Sequence, residues 1–196
     1  MTQQIEYWFT AGSTYNYLTA QRIGQACGQA GVPLVLKPFY LGDIFKEAGF
    51  WPFHPDTART RYMWHDIARS ASQMGLAPTL PAPYPAPQTP LANRVAFLAD
   101  AQGVGLDWLI AAYVEWFHAG HLAGEEANLR PSLKAVSLDP DEIIAAAQEP
   151  ATEAALQALT QEARDKGIFG APSFWVDGEL FWGNDRLEAA IAHATK

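Results

Sequence analysis

Cysteine is nearly missing from this chain: Cys27 is the single thiol among 196 residues. One cysteine excludes an internal disulfide, a cysteine-built zinc cluster and a C-x-x-C redox pair. Positive charge is also short. Lys and Arg number 13 against 21 Asp and Glu, a formal net charge of −8, with no Lys- or Arg-rich run. A basic face for nucleic acid is therefore excluded. No apolar run reaches the ~18–20 residues of a membrane span, so no membrane partner is expected. Met1-Thr2-Gln3-Gln4 has no basic segment leading into an apolar one. No signal peptide is expected, and the expected compartment is the cytoplasm. What is present is 49% hydrophobic and 17% charged residues, enough for a sizeable core in one or two domains.

The order of elements follows from the patterning. Ile5 to Phe9 is rich in β-branched and aromatic side chains and predicts a strand. Tyr17, Ala20, Gly24 and Cys27 then recur at the spacing of one helix face, with Ser13 as the N-cap candidate. Gly31-Val32-Pro33 breaks that helix, and Leu34 to Leu41 predicts a second strand interrupted by Pro38. Strand, helix, strand implies a parallel pair with a right-handed crossover. Helices are predicted over Thr57 to Met74, Leu91 to Gln102, Leu106 to Ala119 and Asp141 to Gln148. Between the first two, residues 78 to 90 hold six prolines and must be extended or looped. The end returns to α/β: a helix over Thr152 to Lys166, strands over Ser173 to Val176 and Glu179 to Trp182 joined by Asp177-Gly178, and a helix over Asp185 to Ala194 that Asn184 could cap. The order predicts an α/β thioredoxin-type domain over 1–45 and 150–196, with an all-helical insertion over 46–149.

Three places carry chemistry. Ser13 stands at a helix start after a strand, where free N–H groups and the positive dipole end favour a thiolate or carboxylate. The same residue read alone is a simple cap. Gly170-Ala171-Pro172-Ser173-Phe174 puts a proline just before a strand, where a thioredoxin order places a cis bond. Trp182-Gly183-Asn184-Asp185-Arg186-Leu187 opens the last helix, where N–H groups bind carboxylate and Asp185 can hold an ammonium group. In this fold the three lie at one sheet edge, a set suited to a small zwitterionic peptide.

Ser13-Thr14-Tyr15-Asn16-Tyr17-Leu18 resembles the Ser-Pro-Tyr-Ser-Tyr-Leu signature of 2-hydroxychromene-2-carboxylate isomerases and kappa-class glutathione transferases. Phe169 to Phe174 and Phe181 to Leu187 match that family's C-terminal motifs, and Leu41-Gly42, Phe45-Lys46 and Tyr62 to Asp66 also fit. The resemblance implies the DsbA-like, kappa-type branch of the thioredoxin fold and a glutathione site. Ser13 would hold the thiolate, with Thr14 and Tyr15 beside it on the first turn. Ala171 and the cis Pro172 would pair with the cysteinyl backbone. Trp182, Gly183, Asn184 and Asp185 would surround the γ-glutamyl end. Lys46 would face the glycyl carboxylate or an aromatic or unsaturated acid substrate. The activity implied is glutathione-dependent cis–trans isomerisation, with a kappa-type transferase or peroxidase, or a glutathione-binding module without turnover, as alternatives. A homodimer is implied as well. Ser13 and Asn16 stand where disulfide oxidoreductase relatives carry two cysteines, so thiol–disulfide exchange on the protein is excluded at this site.

The chain departs from the family pattern at Thr14 (for proline), Asn16 (for serine), Phe50 (for asparagine), Gln88 (for asparagine before Thr89) and Leu122 (for aspartate). Phe50 makes the substrate side more apolar, and the cluster Phe50-Trp51-Pro52-Phe53 reads equally as a pocket lining or as a dimer or domain contact. Arg59 could reach an anionic substrate. Glu115, His118 and His121 share helical spacing but have no second ligand set, so no metal is expected. Tyr7, Trp8, Phe9 and Cys27 read as core.

Overall fold

In a computed structural model that describes residues 2–51 and 54–196, the strand β1 (Ile5–Phe9) is buried on both faces. Alternation along a strand sends successive side chains to opposite sides. Ile5, Tyr7 and Phe9 enter the larger core, while Trp8 packs with Phe39, Leu41, Ala163 and Ile168 on the other face. Each such buried side chain stabilises the fold by roughly 1.5–3 kcal/mol. A strand apolar on both sides belongs in the middle of a sheet. The order is β2-β1-β3-β4, with β2 (Leu34–Pro38), β3 (Ser173–Val176) and β4 (Glu179–Trp182). β1 and β2 are parallel, and β3 runs antiparallel to both β1 and β4.

The crossover between β1 and β2 is α1 (Thr14–Ala30), which ends where Gly31 takes the left-handed conformation. After β2 come α2 (Leu41–Glu47), α3 (Ala58–Gln73), α4 (Thr89–Ala101), α5 (Gly105–Phe117), α6 (Glu126–Ala135) and α7 (Pro140–Gln148). Then come α8 (Pro150–Asp165), the β3–β4 hairpin with positive φ at both Asp177 and Gly178, and α9 (Leu187–Ala194). One continuous apolar core joins the sheet to helices of the insertion.

Three expectations need correction. β2 stops at Pro38 rather than Leu41; after Phe39 N–H closes on Phe9 O at 3.1 Å the chain turns into α2, which the pattern did not reveal. α6 was not expected, since Pro131 sits inside it. Asp185 does not open the last helix: Asn184–Arg186 is a 3₁₀ turn, and α9 begins at Leu187.

Candidate active site

Ser13 occupies the N-cap position of α1, but its hydroxyl caps nothing. It donates instead to the carbonyl of Ala171 at 3.3 Å, joining residues 158 apart in sequence. The first-turn N–H groups of α1 therefore keep their outward donors, and a hydroxyl stands beside them. The Ala171–Pro172 peptide is cis, as expected from its place before β3. The Ala171 N–H meets no acceptor among the described residues. Pro172 O accepts from Gly183 N–H at 2.9 Å, which ties the loop before β3 to the turn after β4. Asn184 Oδ1 then accepts from Thr19 Oγ1 at 3.1 Å and Arg22 Nε at 3.2 Å. Ser13, Ala171, Pro172, Gly183 and Asn184 thus form one connected rim across α1, the loop before β3 and the 3₁₀ turn.

The rest of this rim is aromatic and acidic. Trp182 is 53% exposed and meets Phe169 edge-on at 4.9 Å between ring centres. Gly170 permits that pairing, because a Cβ there would lie 2.3 Å from Trp182 Nε1. Asp185 is exposed and pairs with Arg186 at 3.0 Å. Asn184 differs from the simplest expectation: its side-chain oxygen is committed to α1, and Arg22, which also binds Glu188, fixes its backbone carbonyl.

The other side of the α1 start faces the insertion. Thr14, in place of proline, is buried and its hydroxyl reaches Met63 Sδ at 3.1 Å. Tyr15 donates to Asp66 Oδ2 at 3.1 Å, and burial followed by that carboxylate holds its phenol well above the usual range. Gln88 precedes α4 and is exposed. Its neighbour Thr89 lies so close to Gly12 that a Cβ at residue 12 would sit 1.9 Å from Thr89 Oγ1. The proline-rich loop is thereby pressed against the residue before Ser13.

Lys46, Phe50 and Arg59 belong to a separate cluster. Lys46 is exposed on α2 beside Asp43 and Glu47, lining a hollow of about 360 Å³. Phe45 meets Phe50 and Trp51 edge-on at 6.4 and 5.6 Å, and the Arg59 guanidinium lies 5.4 Å over the Phe50 ring. Tyr84 of the proline-rich loop stands beside Trp51, and its ring meets Trp64 at 6.2 Å. The cluster thus links α2, α3 and that loop; Pro52 and Phe53 lie outside the described residues. A polar hollow of about 460 Å³ lies at the opposite end of the sheet, around Gln4, Pro33 and Asp177, away from Ser13. His121 is hydrogen-bonded to Glu115 at 2.9 Å, and no three-residue metal-ligating cluster occurs among the described residues.

Two residues that matter to this site were not anticipated. Asn93, fully buried on α4, accepts from Ala11 N–H at 2.8 Å and donates to Phe39 O at 2.8 Å and Thr10 Oγ1 at 3.0 Å. Tyr113, buried on α5, donates to Ser13 O at 3.0 Å. The signal for Asn93 was available: a polar side chain on an otherwise apolar helix face needs partners.

A family model for the DSBA-like thioredoxin domain matches residues 4–193. The chain belongs to the DSBA-like thioredoxin family. A 2-hydroxychromene-2-carboxylate isomerase from Sphingobium xenophagum is 26% identical over 190 residues, 96% of each chain. Among solved structures, a 2-hydroxychromene-2-carboxylate isomerase superposes with a TM-score of 0.83 at 21% identity, over 96% of this chain and 94% of that one. The cytosolic disulfide reductase DsbM from Pseudomonas aeruginosa, solved with GSH, superposes with a TM-score of 0.68 at 16% identity, over 97% and 95%. This chain has Ser13 and Asn16 at the start of α1 and keeps its one thiol, Cys27, buried.

Proposed function

We propose that this chain is a glutathione-dependent cis–trans isomerase acting on 2-hydroxychromene-2-carboxylate or a related unsaturated acid from aromatic degradation. The observation that carries the reading is the Ser13 hydroxyl, which stands at a helix N-terminus, serves no cap, and faces the cis Ala171–Pro172 peptide. The isomerase relative supports the reaction class, and the disulfide reductase solved with GSH supports a glutathione site in this fold.

The donor set suits a thiolate peptide. The first-turn N–H groups of α1 stand beside the Ser13 hydroxyl, which reaches the loop whose Ala171 N–H meets no acceptor among the described residues. When bound, glutathione supplies a sulfur nucleophile that adds reversibly to an unsaturated carbon, turning a double bond into a rotatable single bond. The protein's task is to keep that sulfur ionised. A free thiol has a pKa of about 8.5 and is mostly protonated at neutral pH. A hydroxyl donor and the dipole end of α1 stabilise the anion and lower that value. Thr14 and Tyr15 present the first-turn amides, and Ala171 and Pro172 bind the cysteinyl backbone. Trp182, Gly183, Asn184 and Asp185 hold the γ-glutamyl end, with the Asp185 carboxylate taking its ammonium group. Lys46 receives a carboxylate, while Phe50, Arg59 and Gln88 border the aromatic or unsaturated acid. A cytoplasmic homodimer, and the division into a thioredoxin-like domain (1–45, 150–196) and a helical insertion (46–149), belong to the same reading.

The experiment measures product formed against glutathione consumed, with 2-hydroxychromene-2-carboxylate as the probe. An isomerase turns over many substrate molecules per glutathione and leaves it intact. Stoichiometric loss of glutathione replaces the proposal with a kappa-type transferase or peroxidase. Binding without product leaves a module that lacks turnover. In the first case Ser13→Ala lowers turnover about 10²-fold, the loss typical of one anion-stabilising donor, with a much smaller change in glutathione affinity.

A further inference from the structure

The loop that delivers Ser13 is held by side chains from the insertion, not only by the sheet. Thr10 O accepts from Ser13 N–H at 3.0 Å and from Asn16 Nδ2 at 3.0 Å. Asn93 holds Thr10 and Ala11 from α4. From α5, Tyr113 reaches the Ser13 carbonyl at 3.0 Å, with Thr10 O at 3.4 Å. Its ring is locked between Tyr17, Trp116 and Phe117 at centroid distances of 6.0, 6.2 and 6.1 Å.

The peptide unit is planar, so fixing the Ser13 carbonyl also fixes the Thr14 N–H on the same plane, pointing the other way. In a helix that way is out of the N-terminus. We infer that Tyr113 is a positioning residue for the anion site: by pinning the Ser13 carbonyl it aims the first amide of α1 at the place where a sulfur anion binds. The inference rests on the thiolate reading of Ser13, and it makes the inserted helices part of sulfur activation as well as of the substrate side.

A natural control is present. Tyr17 lies in the same aromatic cluster, equally buried, and its hydroxyl meets no hydrogen-bond partner among the described residues. Tyr17→Phe and Tyr113→Phe remove the same atom from the same cluster, but only the second removes a bond to Ser13.

The test places a sulfur at the site independently of glutathione. The thiol introduced by Ser13→Cys is titrated by its thiolate absorbance in three backgrounds: otherwise wild type, Tyr113→Phe and Tyr17→Phe. Cys27 is silent in this window, since burial pushes its thiol up to about 11. Expected is a thiol pKa below the ordinary ~8.5, raised by about half a pH unit in Tyr113→Phe and unmoved in Tyr17→Phe. In the protein that keeps Ser13, Tyr113→Phe lowers kcat about fivefold with KM for glutathione nearly unchanged, as the loss of one ordinary hydrogen bond to the activating peptide predicts. An unmoved titration in Tyr113→Phe, or an equal shift in Tyr17→Phe, overturns the inference. If the titration shifts as expected but the wild type binds no glutathione, the positioning role stands and the glutathione reading falls.

Discussion

Replacing Asn93 by Leu tests how the Ser13 loop is held. The side chain is fully buried, and leucine keeps its branching and heavy-atom count while being larger, so no cavity opens. What is lost is polar. Ala11 N–H and Phe39 O, both on buried residues, lose their 2.8 Å partners, and Thr10 Oγ1 loses one at 3.0 Å. A buried group left without a partner costs about 1–3 kcal/mol. With the Ala11 N–H and the Thr10 hydroxyl stranded, Phe39 O keeping the Leu41 N–H at 3.2 Å, and some apolar gain returned by leucine, the net loss is about 3 kcal/mol. For a chain of this size that lowers Tm by roughly 6–12 °C. Thermal and urea unfolding followed by circular dichroism measure it, with an unchanged urea m-value showing that the denatured state is the same. A fall in Tm below about 2 °C would mean that water or a shifted loop satisfies those groups, and the clamp on residues 10–11 would be refuted.

Further outcomes follow from other contacts. Gly12→Ala forces its new methyl into Thr89 and destabilises by about 1–3 kcal/mol; adding Thr89→Ala recovers part of that loss in urea unfolding, and strict additivity of the two changes would show that they do not clash. Burial works to raise the Glu153 carboxyl, but hydrogen bonds from Tyr40 and Gln157 and the charge of Arg94 outweigh it and leave it below its ordinary value. A carboxyl lowered in the folded state binds fewer protons than in the unfolded chain, so its stabilisation is full at neutral pH and is lost as pH falls through the lowered folded value. Glu153→Gln is therefore less stable than wild type at pH 7, and the gap closes under acid; a gap that widens on acidification contradicts the assignment. Because Glu153 is partly exposed, the gap at pH 7 is below about 1 kcal/mol.

Much of the fold was legible because local signals agreed with one another. The doubly apolar Ile5–Phe9 run, the Gly31 stop and the Asp177-Gly178 turn each mark a backbone event that one or two residues decide. α2 was hidden because seven residues containing Gly42 give too little periodicity, and Pro38 just before them reads as the end of order. α6 was hidden by Pro131, whose penalty in isolation is offset by burying Leu129 and Leu133. At the candidate site, the meeting of Ser13 with Ala171 was legible from element order together with the resemblance. The engagement of Asn184 by Thr19 and Arg22 was not, since it depends on where α1 passes the 3₁₀ turn. The same holds for Tyr113, whose hydroxyl looks like any other in an aromatic helix until its carbonyl partner is seen.

The central claim concerns the state of one sulfur atom, and ultraviolet titration of protein-bound glutathione reads it directly. The account predicts a sulfur pKa clearly below the ~8.5 of a free thiol in the wild type, moving back toward that value in Ser13→Ala. Bound glutathione that ionises at its solution pH in both proteins would contradict it.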